Sequence, residues 1–141
     1  AGIYGPERGH WFKQFLRGEA HIEGNGSRLL NMVRRDDMVG CIIAALINGR
    51  AGEIYNAVDD EPVSQADFFL WLAATLGKPL PPSTSEDAEI VRKRGATNKR
   101  VSNQKLKTEF GYQFKHPDFR SGYGAEILRL KRAGGFHPKP L

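Results

Sequence analysis

Only one cysteine, Cys41, occurs in the 141 residues, so the chain can form no internal disulfide. Cys41 lies within an apolar helical pattern and reads as a small buried core residue. His10, His21, His116 and His137 are scattered, with no carboxylate or cysteine at ligand spacing. A zinc site needs such convergence, so no metal is expected. No G-x-S-x-G elbow occurs, which removes support for a serine hydrolase. The longest mostly apolar run, residues 38–47, falls short of the about 20 residues that span a bilayer. No basic, apolar, small-residue succession opens the chain. These absences point to a cytoplasmic protein with no membrane partner.

What is present is ordinary for a globular protein, with 40% hydrophobic and 26% charged residues. A chain of this length forms one domain that buries roughly two-thirds of its surface. The net charge of +5 favours an anionic partner: a nucleotide diphosphate, a nucleic acid or an acidic protein. Charge alone does not choose among them.

The opening segment, Ala1-Gly2-Ile3-Tyr4-Gly5-Pro6-Glu7-Arg8-Gly9, reads as a strand end turning into a loop, because proline fixes its φ and lacks the N–H a ladder needs. Trp11, Phe12, Phe15 and Leu16 then share one face of a short helix that Gly18 stops. Gly24-Asn25-Gly26-Ser27 is a strong turn signal, and residues 20–30 are expected to form a hairpin-like excursion. Val39, Ile42, Ile43 and Leu46 follow helical spacing, with Asp36 or Asp37 as cap and Gly49 as stop. Residues 53–58 alternate as a strand does.

Ser64-Gln65-Ala66-Asp67 resembles a capping box opening a helix to about Leu76, with Phe68, Phe69, Leu72 and Leu76 as core and Gly77 at its end. Residues 79–89 read as a loop, and Arg92-Lys93-Arg94 with Lys99-Arg100 as a basic surface around Gly95. Ser102 is expected to cap a short helix carrying Leu106 and Phe110 and ending at Gly111. Asp118 is expected to cap a last helix with Phe119, Tyr123, Ile127 and Leu130 on one face, before Gly134-Gly135 and a proline-rich tail.

Four blocks in order carry a resemblance. They are the AGIYGPxR opening, Asn31-Met32-Val33-Arg34-Arg35-Asp36-Asp37-Met38, the stretch 52–64 read as G-x-x-Y-N-x-x-D-x-x-P-V-S, and Lys99-Arg100-Val101-Ser102-Asn103-Gln104-Lys105-Leu106 with Phe110-Gly111-Tyr112. Together they resemble the C-terminal portion of extended short-chain dehydrogenases/reductases, the NAD-dependent epimerase/dehydratase family. The resemblance runs from Ala1 to about Ile127. It departs at Arg34 and Arg35, where the family usually has His and Val, so this strand is expected to be more exposed or to face an anion.

The resemblance implies an α/β fold: the C-terminal part of an NAD(P)-binding Rossmann-type protein, helices with few strands. It makes residues 1–141 a single substrate-binding segment whose N-terminal nucleotide-binding half is absent. In the family a G-x-x-G-x-x-G turn holds the cofactor pyrophosphate at a helix N-terminus, and a Y-x-x-x-K pair moves the proton. Neither motif occurs here, since Tyr4, Tyr55, Tyr112 and Tyr123 are followed four residues on by Arg8, Asp59, His116 and Ile127. No catalytic residue is therefore assigned. NAD or NADP is expected in a complete parent, and none is expected on this chain alone.

By the same resemblance Ala1, Gly2 and Ile3 are candidates to contact the nicotinamide end. Arg8, Arg28 and Arg34 are candidates for a substrate diphosphate, because the guanidinium fork gives paired charge-assisted bonds to phosphate oxygens. Asn31 and Asn103 are candidate polar contacts. The implied function is the substrate-binding portion of a nucleotide-sugar epimerase, dehydratase or reductase, catalytically incomplete alone. Against it stand ion-paired surface arginines and a non-enzymatic binding or scaffold protein of the same fold, whose open sheet edge predicts a homodimer. Nucleic-acid binding through the basic stretch is not expected, because no recognition motif or interleaved aromatic accompanies it.

Overall fold

The computed structural model describes residues 1–84 and 98–134. In chain order its elements are β1 (Gly2–Tyr4), α1 (His10–Arg17), β2 (Leu29–Leu30), β3 (Met32–Arg34), α2 (Arg35–Asn48), β4 (Val63–Ser64), α3 (Gln65–Leu76), α4 (Gln104–Phe110) and α5 (Phe119–Arg132). They fall into two compact units: residues 1–9, 31–62 and 101–134 in one, and 10–30, 63–84 and 98–100 in the other.

In the first unit β1 and β3 form a parallel pair with Gly2 opposite Met32 and Tyr4 opposite Arg34. α5 packs against β3, and α4 against α2. Phe119, Tyr123 and Ile127 are buried on α5, whose start is fixed by the Asp118 carboxylate accepting from Ser121 N at 2.8 Å. That cap satisfies one of the amides a helix start leaves unpaired.

In the second unit the short strands β2 and β4 pair antiparallel. α3 begins where expected, with Ser64 Oγ accepting from Asp67 N at 3.0 Å, and ends at Gly77. Phe68, Phe69 and Leu72 are fully buried, each burial stabilising by about 1.5–3 kcal/mol. Around Phe69 stand Trp11 at 6.1 Å, edge-on, and Phe15 at 6.0 Å, stacked. The aromatic face of α1 is thus spent on packing.

Five sequence expectations change. Residues 53–58 form no strand and belong to no sheet, because alternation suits a strand and only a neighbour makes one. The hairpin at 20–30 does not close on itself. Instead β2 finds β4, and Ile22 bridges Ser83 in parallel. The turn there is real, with Gly26 N donating to Glu23 O, and a Cβ on Gly26 would lie 2.7 Å from both Ala66 and Ile22. α2 is capped at Arg34 without a side-chain bond. Asp36 and Asp37 sit inside its first turn, where their charge suits the helix dipole. α4 starts one residue later than expected, with Asn103 at the cap position and Ser102 Oγ still accepting from Gln104 N at 3.2 Å. Arg34 is buried, not exposed, while Arg35 stays exposed.

One helix departs in its environment. Cys41 is buried as expected, yet Val39, Ile42, Ile43, Leu46 and Ile47 stand outward, Leu46 82% exposed and Ile42 52%. The end of the 79–89 loop, the Arg92-Lys93-Arg94 run with Gly95, and the tail from Gly135 lie outside the described residues.

Candidate functional site

Gly5-Pro6-Glu7-Arg8 closes as a four-residue turn, with Arg8 N donating to Gly5 O at 3.0 Å and Gly5 N to Arg8 O at 3.3 Å. Pro6 at the second position and Glu7 at the third, with φ of 67°, make a type II turn, whose third position favours glycine. A non-glycine residue is therefore held left-handed where the strand hands its direction to Arg8. Arg8 is exposed at the end of this turn, and Ala1 and Gly2 are exposed at the other end of β1.

Behind the turn lies a buried polar cluster. Tyr4 stacks on Tyr123 with centroids 4.1 Å apart and planes 9° from parallel. Arg34 Nη1 donates to Gly122 O at 3.1 Å, and Arg34 Nε lies 3.4 Å from Asp36 Oδ2. Gly122 is required there, since a Cβ would lie 1.8 Å from the Tyr4 hydroxyl. Burial pushes the ionisation of Tyr4 well up, with the Asp59 charge adding to it. Tyr123 moves the same way, through burial and then Tyr4.

Asp59 is the residue sequence reasoning missed. It is 1% exposed, and burial raises its carboxyl to about 8, opposed by the hydrogen bond from Glu61 N and reinforced by Asp118, Asp60 and Glu61. Its Oδ1 accepts from Glu61 N at 3.3 Å, while Oδ2 has no partner among the described residues. Tyr4 Oη and Arg34 Nε are likewise buried without a hydrogen bond among the described residues, although Arg34 Nε keeps its ion pair with Asp36. The only hint in the sequence was an acid directly after the apolar Val58.

The two asparagine candidates have structural partners. Asn31 Oδ1 accepts from Val101 N at 2.9 Å. Asn103 Nδ2 donates to Val58 O at 2.9 Å and to Asp60 Oδ1 at 2.7 Å. Burial works to raise the Asp60 carboxyl, but bonds from Asn103 and Lys107 outweigh it and leave the carboxyl below its ordinary value. Asp37 accepts from Tyr112 Oη at 3.0 Å, Lys115 N at 2.8 Å and His116 N at 2.9 Å. Tyr112 is raised by burial and by that bond.

Ala1, Gly2, Ile3, Arg8, Asn31, Arg34 and Asn103 all belong to the first unit. Arg28 belongs to the second, where it pairs with Glu23 at 3.1 Å and lies over the Trp11 ring at 5.9 Å. None of Tyr4, Tyr112 and Tyr123 is tuned toward proton transfer, for which a hydroxyl must be lowered rather than raised. No G-x-x-G-x-x-G turn occurs in the sequence. No group of three or more metal-ligating side chains occurs among the described residues. Nor is any helix there long and apolar enough to cross a membrane.

No family model matches the chain. A 3-diazoavenalumate denitrifying reductase from a Streptomyces species is 29% identical over 136 residues, covering 88% of this chain and 44% of the relative. A conserved protein of unknown function from Silicibacter pomeroyi superposes with a TM-score of 0.75 at 31% identity, covering 92% of this chain and 47% of that one. The dTDP-glucose 4,6-dehydratase of Streptomyces venezuelae, solved with NAD and TYD bound, superposes at 0.73 and 22% identity, over 95% of this chain and 42% of its own. The chain thus spans less than half the length of these proteins. In sequence and in α/β fold it matches the C-terminal portion of a Rossmann-type extended short-chain dehydrogenase/reductase, the NAD-dependent epimerase/dehydratase family.

Proposed function

We propose that this chain is the substrate-binding portion of an NAD(P)-dependent epimerase, dehydratase or reductase of the cytoplasm, acting on a nucleotide sugar or a related small molecule. The observation that carries the reading is the strained turn after β1, which sets Arg8 outward at the place the family resemblance assigns to substrate contact. Arg8 would hold the substrate phosphate, and Arg34 and Asn103 would shape the wall behind it through the bonds they make to Gly122, Val58 and Asp60. Arg28 and Asn31 are further proposed contacts, and Ala1, Gly2 and Ile3 would line the nicotinamide end. Bound cofactor supplies the hydride, and no residue here supplies the proton. The chain alone is therefore a binding element without turnover.

The test is a titration of the isotopically labelled chain with UDP- and dTDP-sugars, followed by amide shifts. Arg8 and its neighbours should shift, and Arg8→Ala should weaken binding roughly tenfold, the worth of one charge-assisted bond. Hydride transfer by the chain alone would overturn the reading, as would shifts that ignore this turn.

A further inference from the structure

Four buried side-chain atoms among the described residues make no hydrogen bond: Tyr4 Oη, Arg34 Nε, Asp59 Oδ2 and Gln65 Nε2. Gln65 lies in the second unit, whereas the other three residues belong to the first. Tyr4 and Asp59 are 1% exposed and Arg34 7%, so bulk water does not reach them. They come from three stretches of the chain that meet in one place. Tyr4 ends β1, and Arg34 ends β3 opposite it in register. Asp59 begins a short strap, in which Asp59 N donates to Met32 O at 2.7 Å and Asp60 N to Pro117 O at 2.8 Å. α5 adds Gly122, whose carbonyl accepts from Arg34 Nη1 at 3.1 Å, and Tyr123, stacked on Tyr4.

The three atoms are complementary. Arg34 Nε donates, an ionised Asp59 Oδ2 accepts, and the Tyr4 hydroxyl does both. After burial itself, the charges of Asp59 and then Arg34 act most strongly on that hydroxyl, in opposite directions. Both groups thus stand in its field without the geometry of a direct bond. The rest of each side chain is already committed: Asp59 Oδ1 accepts from Glu61 N at 3.3 Å, and Arg34 Nε meets Asp36 only as an ion pair at 3.4 Å. A buried polar atom left bare is costly, and here that cost would fall three times on one cluster. A metal ion does not suit the place, since Arg34 brings a positive charge and no group of three or more metal-ligating side chains occurs among the described residues. An anion would meet Asp118 and, once ionised, Asp59, whose charges both reach the Tyr4 hydroxyl. A neutral molecule that donates and accepts fits all three, and an internal water makes about three such bonds.

We propose that Tyr4 Oη, Arg34 Nε and Asp59 Oδ2 together bind one internal water molecule, which joins β1, β3 and the strap at Asp59 directly behind the Gly5–Arg8 turn. Arg34 Nε donates to the water oxygen. With Asp59 ionised, the water donates to Oδ2 and accepts from the Tyr4 hydroxyl. With Asp59 protonated, the acid donates to the water, which turns and donates to Tyr4 Oη. Each of the three atoms keeps a partner in both states, so the carboxyl takes up or releases its proton without leaving one bare. The inference rests on the buried cluster and stands apart from the substrate proposed above.

Magnetic relaxation dispersion of the water oxygen counts the waters a protein holds inside it. The double variant Tyr4→Phe with Asp59→Leu leaves Arg34 Nε alone, fewer partners than an internal water needs, and should show one water fewer than the wild-type chain. Asp59→Asn, whose amide donates where the acid did, should show the wild-type number. Urea unfolding of Tyr4→Phe gives an independent reading that does not depend on the double variant folding. If the hydroxyl is bonded to water, its removal should raise the unfolding constant roughly fivefold, the factor for one net hydrogen bond. If the hydroxyl is bare, its removal stabilises the chain. Equal counts in the wild type and the double variant overturn the proposal. So does a lower count in Asp59→Asn, or a Tyr4→Phe chain no less stable than the wild type.

Discussion

Asp59→Asn should stabilise this protein at neutral pH. The unfolded carboxyl releases its proton near 3.8, whereas the folded one, kept from water, holds it to about 8. A raised acid is stable in its protonated form. Folding stability from this group is therefore complete below 3.8, falls as pH rises toward about 8, and is flat beyond. Each pH unit in that window costs about 1.4 kcal/mol, so at pH 7 the full linkage comes to about 4 kcal/mol. Relaxation and water entry reduce such penalties, and about 1–3 kcal/mol is the expected gain from the neutral amide. The amide oxygen keeps the bond from Glu61 N. Urea denaturation at pH 4, 7 and 8.5 reads the effect: the two proteins should converge at pH 4 and separate in favour of the variant at 7 and above. An Asn variant no better at pH 7 than at pH 4, or a wild-type chain whose stability shows no Asp59-dependent fall across that range, would refute the reasoning.

Other substitutions test the local geometry. Glu7→Gly relieves the left-handed third position of the turn and should raise stability by about 0.5–1 kcal/mol in a thermal melt. Gly122→Ala drives a methyl into the Tyr4 hydroxyl and should cost about 2–4 kcal/mol, while Gly124→Ala, with open space at its Cβ, should be neutral or stabilise by up to about 1 kcal/mol. Paired melts of the two variants separate packing from helix propensity. Ser64→Ala removes the oxygen that accepts from Asp67 N and should cost about 1 kcal/mol in denaturant unfolding.

What could be read from the sequence was local. Ser64 and Asp118 announce their helices because a cap acts over three residues, and Phe68, Phe69 and Leu72 announce a core because helical spacing puts them on one side. Residues 53–58 show the limit. Alternation was legible, but pairing depends on what lies alongside, which no short window contains. β2 and β4 are 33 residues or more apart, so the turn at Gly24-Asn25-Gly26 suggested a hairpin that distance overruled. The partners of Asn103 and the burial of Asp59 were hidden for the same reason. Each is defined by partners far along the chain or by loss of water, and neither is written beside it. The apolar face of α2 was legible as a pattern, while its exposure was not.

The division into two units has a consequence for how the chain can be handled. It passes from one unit to the other after residues 9, 30, 62 and 100, so each is assembled from separated stretches and no continuous excerpt of the sequence consists of one unit alone. A C-terminal truncation after residue 9, 30 or 62 removes pieces of both. Asp37, which joins the start of α2 to backbone amides 78 and 79 residues later, can be satisfied only after nearly the whole chain has emerged. Long-range closures of this kind slow folding. During synthesis the early stretches, Asp37 among them, must therefore wait unpaired until residues 115 and 116 follow.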